Sequence, residues 1–314
     1  MINRIALLLI KVPPLYRLLQ KLYVATFLRA RGSQRYSRER IWTALSQLSR
    51  VSKQYGLTDG FLSAQGNFYL QMPDGILLYY NFDDRDKTMG DGQSLDLAPV
   101  NDTDPIWIAI QQLMKPGKNF IDVGANNGYF YALRVAKLHP KSQVIAFEPN
   151  PRISFHLKHN VEINKFANID VAEKALGQAA GSIFLGARLG ASAYTSSSRP
   201  GADWIEVPVI TLDSFLDKNG RQQIGLIKVD IEGGEYDFLL GCKTVMEEHR
   251  AIFILEHKQK WLARAGVSTS DILDLAEKFA YEIQKFKGQE DIILYPKVAR
   301  KKIQSISHLL VDLE

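Results

Sequence analysis

With 314 residues, 46% of them apolar and 23% charged, the chain is long enough for one large domain or two small ones and has the composition of an ordinary globular enzyme. Its one cysteine, Cys242 in "LLGCKTV", excludes an internal disulfide, reads as a buried inert thiol and fits a reducing, cytoplasmic setting. The net charge of +5 sits in residues 1–40, where nine Lys/Arg accompany the single acid Glu39; the remainder is at −3, which argues against a nucleic-acid grip across the whole surface.

Residues 1–58 are expected to form a basic helical arm, with residues 59–314 as the main domain and 119–296 as its core. "LYRLLQKLYVATFLRA" and "RERIWTALSQLSRVSKQYG" both carry helical periodicity, the second ending at Gly56 as a C-cap. Two readings of the arm stand: a lid packed on the main domain, or an amphipathic basic segment (1–35) in peripheral contact with an anionic membrane, at its inner surface. The run "IALLLI" at 5–10 falls short of a signal-peptide core, and no stretch approaches the roughly 18 apolar residues of a membrane span.

"NFYLQMPDGILLYYN" predicts a β-hairpin turning at Pro73-Asp74-Gly75, and "DPIWIAIQQLMKPG" a short helix stopped by Pro116-Gly117. From residue 119 strands and helices alternate. "NFIDVG", "SQVIAFEP", "NIDVAEKALG", "IGLIKVDIEG" and "AIFILEH" read as short apolar strands. "NGYFYALRVAKLH", "PRISFHLKHNVEIN", "GEYDFLLGCKTVMEEH" and "STSDILDLAEKFA" read as helices, and "YEIQKF" and "QSISHLLVDL" as closing strands. The pattern predicts an α/β fold, a Rossmann-like parallel sheet with helices on both faces. An excursion of about 40 residues follows the third strand, with small and hydroxylated residues at 190–198, and reads as a lid or substrate loop.

The chemistry concentrates at strand ends, where open parallel sheets bind ligands. In "FIDVGANNGYF", Gly124 and Gly128 allow a tight turn and close approach to a ligand, and a helix starting near Asn127 would present free N–H groups. The alternative is a tight strand–helix turn holding no ligand. The spacing is Asp-x-Gly-x-x-x-Gly; Asn126 stands where a pyrophosphate-binding turn has its middle glycine, and Asp122 would repel a phosphate and attract an ammonium. Glu148 ends the next strand, 24 residues after Gly124, placed for both hydroxyls of a ribose. A pocket acidic at both ends suits a cationic nucleoside without phosphate, which S-adenosylmethionine fits and NAD fits less well.

The ordered set "FIDVGANNGYF", "AFEPNP", "ALG", "VITLDSF" and "IKVDIEGGEYDFLLG" resembles FkbM-type methyltransferases over roughly residues 119–256. The resemblance implies a class I S-adenosylmethionine-dependent O-methyltransferase acting on a hydroxyl of a sugar, glycan or glycolipid-like acceptor. It implies that Asp122, Gly124, Asn126, Asn127 and Gly128 hold the methionine part of the cofactor and Glu148 the ribose. Ala175 and Leu176 would flank the adenine, though an apolar strand end is equally ordinary core.

For the reacting edge, "KVDIEGGE" brings Lys228, Asp230 and Glu232 to one face if the strand alternation runs through them, and Asp230 and Glu232 then face the cofactor–acceptor junction. Glu235 reads as a helix N-terminal acid. His257, beside Glu256, is a candidate general base or a surface histidine. No cluster of histidines and carboxylates demands a metal, although a divalent ion is compatible with Asp230 and Glu232. The rival readings are an NAD-dependent oxidoreductase on the same fold and a non-catalytic nucleoside-binding module.

Overall fold

The structure is a computed structural model that describes residues 59–62, 68–80, 102–186, 195–196, 204–220 and 223–313. The expected helical arm at 1–58 lies outside the described residues, as do the small and hydroxylated residues 190–194 and 197–198 of the excursion. Among the described residues no helix is long and apolar enough to cross a membrane. Contacts divide the chain into two units; all that is described before residue 81 falls in the first and all that is described from residue 102 in the second. The predicted hairpin falls in the first unit.

In the first unit, β1 (Asp59–Leu62), β2 (Phe68–Gln71) and β3 (Leu77–Tyr80) form a three-stranded antiparallel sheet. The β2–β3 turn is the expected one: Gly75 takes φ +81° and donates to the Met72 carbonyl at 2.8 Å, while the Asp74 carboxylate accepts from Ile76 N–H at 3.0 Å. β1 extends the hairpin by pairing along β2.

In the second unit an eight-stranded sheet has the order β15-β13-β14-β12-β11-β4-β5-β6. Its parallel part comprises β4 (Asn119–Val123), β5 (Val144–Phe147), β6 (Ile169–Ala172), β11 (Ile224–Val229) and β12 (Ile252–Glu256). β5 and β12 are buried at every position because layers cover both sides of the sheet, which explains why these strands read as unbroken apolar runs. The chain winds outward from β4 through α2 (Ala132–Leu138) to β5 and through α3 (Pro151–Ile163) to β6. It winds the opposite way from β11 through α5 (Glu235–Leu240) to β12. Right-handed crossovers running in opposite directions put helices on opposite faces, and the reversal falls between β4 and β11.

Other elements flank this frame: α1 (Pro105–Leu113), capped by Asp104, and α4 (Leu212–Lys218), capped by Thr211. After β12 come α6 (Gln259–Ala265) and α7 (Thr269–Lys278), the latter with a full Ser268–Asp271 capping box. The edge beyond β12 departs from the parallel expectation. β13 (Tyr281–Phe286) and β14 (Asp291–Pro296) form a hairpin, and β14 inserts antiparallel against β12. "DIILYP" carries no strand assignment in the sequence reading, and of "QSISHLLVDL" only Leu310–Asp312 is strand, β15; 3₁₀ turns take up the rest.

The described residues of the excursion lie mainly in a second sheet. β7 (Ala175–Leu176), β8 (Gly181–Gly186), β9 (Thr195–Ser196) and β10 (Trp204–Ile210) pair in the order β7-β10-β8-β9. In β10, Val207 and Val209 are buried while Glu206 and Pro208, alternating with them, face water, the period-2 pattern of a one-sided sheet. "NIDVAEKALG" is thus two strands, β6 in the large sheet and β7 in the small one.

Candidate active site

Four adjacent parallel strands, β12, β11, β4 and β5, each carry an acid within one residue of their end: Glu256, Asp230, Asp122 and Glu148. All four acids stand at the carboxyl edge of the sheet, around the point where the strand order reverses.

The turn after β4 is built on two left-handed glycines. Gly124 has φ +82°, and a Cβ there would lie 2.0 Å from the Asp230 carbonyl oxygen; Gly128 has φ +84°, and its Cβ would lie 2.4 Å from Leu157 Cδ1. The glycines are therefore required by backbone conformation and by packing of the turn on β11 and α3. Asn126 is also left-handed, φ +53°, and its Oδ1 accepts from Asn127 N–H at 2.7 Å. Asn127 Oδ1 accepts from Tyr129 N–H at 3.0 Å. The asparagine pair replaces hydrogen bonds that a helix would have made, so α2 starts at Ala132 rather than near Asn127.

Glu148 is buried beneath this turn. Its Oε2 accepts from Asn126 N–H at 2.9 Å and its Oε1 from Asn150 N–H at 2.9 Å. Burial pushes its pKa up to about 7 against the pull of those two N–H groups. Each oxygen keeps a further lone pair, which leaves capacity for two hydroxyl donors. Asp122 is also buried, and its Oδ2 accepts from Ala132 N–H at 3.0 Å, so it holds the start of α2 as well as charging the strand end. Burial raises it to about 7, with Lys228 opposing the rise.

On β11, Lys228 is fully buried and donates to Asp291 Oδ1 at 3.1 Å, with Asp230 Oδ2 at 3.6 Å. Burial would lower its pKa, but Asp291 and Asp230 outweigh this and hold it well above the usual lysine range. Asp230 itself is 42% exposed at the crevice, and its N–H donates to the Val123 carbonyl at 2.9 Å. β11 ends at Val229, so strand alternation does not run on to Glu232. Glu232 sits instead in a left-handed turn, φ +58°, followed by Gly233 at φ +110°. Glu235 secures that turn by accepting from Ile231 N–H at 3.1 Å and Gly233 N–H at 3.0 Å. It is the first residue of α5, as expected, and braces the loop as well; burial raises it to about 7.

The turn delivers Glu232 to Asp230, and Glu256 joins them: an oxygen from each of the three carboxylates lies within 4.8 Å of the others. Glu256 is the site residue that the sequence reading passed over, because the pairing of β12 beside β11 is what brings it in. Its neighbour His257 turns away. His257 Nε2 contacts Thr269 Oγ1 at 3.1 Å, and its charged neighbours are Lys285 and Glu290. Ala175 and Leu176 are both buried, Ala175 with Leu185, Val207 and Val209, and Leu176 in the main core. Cys242 is buried and donates to the Phe238 carbonyl at 3.0 Å; burial raises its thiol well above the usual range, as an inert core cysteine requires.

The methyltransferase FkbM domain model matches residues 122–283, just over half of the chain and all four acidic strand ends. The chain belongs to the FkbM methyltransferase family. It is 26% identical over 202 residues to the 2-O-methyltransferase NoeI of Sinorhizobium fredii, covering 59% of this chain and 82% of that one. It is also 26% identical over 176 residues to the hexuronic acid methyltransferase AglP of Haloferax volcanii, covering 55% of this chain and 68% of that one. Among solved structures, the methyltransferase FkbM from Methylobacillus flagellatus aligns at 17% identity and TM-score 0.41, over 61% of this chain and 50% of that one.

As an FkbM methyltransferase the protein uses S-adenosylmethionine, and the donor set at the β4 and β5 ends fits that cofactor. Two buried carboxylates, Asp122 and Glu148, flank the glycine turn, while the nearby Lys228 is engaged by Asp291 and Asp230; the arrangement suits a sulfonium, an ammonium and a ribose diol better than a pyrophosphate. The reading of this turn as an NAD site is set aside by the family.

Proposed function

We propose that the protein transfers the methyl group of S-adenosylmethionine to a hydroxyl of a sugar or glycan-like acceptor. The observation that carries the reading is the convergence of a nucleoside-binding edge (Asp122, Glu148) and a carboxylate cluster (Asp230, Glu232, Glu256) at one switch point of one sheet. The acceptor class draws support from NoeI and AglP, whose names give a 2-O-methyltransferase and a hexuronic acid methyltransferase.

The cofactor supplies an electrophilic methyl, and the protein supplies positioning and charge. Asn126, Asn127 and the glycine turn orient the methionine part beside Asp122, and Glu148 receives the ribose hydroxyls. Asp230, half-exposed at the crevice and tied through its N–H to β4, stands where the acceptor hydroxyl would approach. A neutral hydroxyl is a poor nucleophile, so its proton passes to a carboxylate of this cluster as oxygen attacks, an effect typically worth 10²–10⁴ in rate. Holding oxygen and methyl in line contributes the other large share, as much as ~7–11 kcal/mol in intramolecular models. We give Glu256, rather than His257, the place of third polar group at this edge, since His257 faces Thr269.

The test is incubation of the protein with radiolabelled S-adenosylmethionine and cell extract, with identification of the labelled product. We expect an O-methylated saccharide, and an Asp230→Asn variant that binds S-adenosylhomocysteine normally but labels at least ~100-fold more slowly. Equal labelling by wild type and variant would remove Asp230 from the chemistry, and no labelled product at all would favour a non-catalytic binding module. The excess of Lys/Arg in residues 1–40 also supports peripheral contact of residues 1–35 with anionic membranes. Full-length protein should float with anionic liposomes and a chain lacking 1–35 should not; failure of the full chain to float sinks that part.

A further inference from the structure

We propose that Asp230, Glu232 and Glu256 form a binding site for one divalent cation with oxygen-preferring chemistry, such as Mg²⁺, Mn²⁺ or Ca²⁺, and that this cation receives an acceptor oxygen. The ion's role at the acceptor rests on the methyltransferase reading above; its binding does not.

Three observations carry it. The first is geometric: one oxygen of each carboxylate lies within 4.8 Å of the other two. Two ligands of a common ion at about 2.1–2.4 Å can stand up to about 4.2–4.8 Å apart, so the three reach one ion with little or no movement. The second is an orphaned oxygen. Glu256 is only 8% exposed; Lys258 Nζ engages its Oε1, while Oε2 is buried and has no hydrogen-bond partner among the described residues. A buried carboxylate oxygen left unmatched is costly, and a cation at the cluster is the group that would satisfy it.

The third is charge. Asp230, Glu232, Glu256 and Asp291 crowd two ammonium groups, Lys228 on Asp230 and Asp291, and Lys258 on Glu256. Asp230 and Asp291 share the one ammonium of Lys228, a deficit of positive charge that a cation at the cluster would make up. The donors are all carboxylate oxygens, without imidazole or thiolate, which selects the hard cations over zinc or copper. Three protein ligands leave coordination positions on the side where Asp230 is open to the crevice. A vicinal diol or a uronate carboxylate could fill two of them and so be held beside the methyl donor.

The experiment uses the full chain after chelator treatment. Mn²⁺ binding is measured by electron paramagnetic resonance and calorimetry, with Mg²⁺ and Ca²⁺ as competitors, and S-adenosylhomocysteine binding is measured on the same samples. We expect one Mn²⁺ per chain, displaced by Mg²⁺ or Ca²⁺, and at least about tenfold weaker binding in Glu256→Gln and in Glu232→Gln. The second variant guards against misfolding of the first, and both should bind S-adenosylhomocysteine as wild type does. Absence of stoichiometric Mn²⁺ binding, or unchanged Mn²⁺ affinity in both variants, overturns the site. A wild-type chain that binds S-adenosylhomocysteine but no Mn²⁺ defeats this inference alone, whereas failure of the wild-type chain to bind S-adenosylhomocysteine strikes the cofactor reading instead.

Discussion

Glu148 performs two tasks with one carboxylate. Each oxygen accepts one backbone N–H, from Asn126 and Asn150, and this fixes the carboxylate under the glycine turn before any ligand arrives. Pre-set acceptors lose little freedom on binding a ribose, which is the physical advantage of a buried acid over a surface one. Glu148→Gln keeps the shape but loses charge and exchanges one acceptor for a donor. Because hydrogen bonds to charged groups are worth about 1.5–3 kcal/mol, calorimetry should show S-adenosylhomocysteine binding weakened roughly ten- to a hundredfold. An unchanged affinity would remove Glu148 from the ribose site.

Among the elements, two turns interlock and set the site. The turn after β4 presses its Gly124 against the Asp230 carbonyl, and the turn after β11 is braced by Glu235 and lies against α6, where a Cβ on Gly233 would come within 3.0 Å of the Trp261 carbonyl oxygen. Gly124→Ala combines left-handed strain of about 1–2 kcal/mol with a backbone clash that only movement of the Asp230 turn can relieve. It should destabilise by roughly 3 kcal/mol or more in denaturant unfolding. Gly117, at φ +76° with open space where a Cβ would go, provides the control: Gly117→Ala should cost only about 1 kcal/mol. Equal losses at the two positions would mean that Gly124 serves the backbone alone and not the contact between turns.

At the scale of the whole molecule, the acids gathered at one sheet edge tie stability to pH. Burial holds Asp122, Glu148 and Glu235 up at about 7, well above their ordinary values. A carboxyl raised on folding binds its proton more tightly in the native state, so the stability it contributes is complete below the unfolded pKa and is lost as pH rises through about 7. The cofactor-free protein should therefore show a falling Tm between about pH 5 and about pH 8. S-adenosylmethionine, which pairs its positive charges with the ionised acids, should raise Tm more at the upper end of that range. A Tm that climbs with pH in the cofactor-free protein would contradict the burial of these carboxylates.

The sequence by itself determined the parallel strands from β4 to β12, because strands covered on both faces must be continuous apolar runs, and it located Asp122, Glu148 and Asp230 at their ends. It also made the hairpin at Asp74-Gly75 and the capped start of α7 legible, since turn and cap chemistry are local. Only the tertiary structure decided what depends on pairing between distant segments: the insertion of β14 beside β12, the second sheet within the excursion, and the partners of each acid. Glu232 reaches Asp230 through a left-handed turn, a backbone state that residue spacing does not encode. Glu256 and His257 are neighbours in the chain, and alternation along and just past β12 sends them to different surroundings. Which of the two meets Asp230 was settled by the register of β12 against β11, and the answer was Glu256.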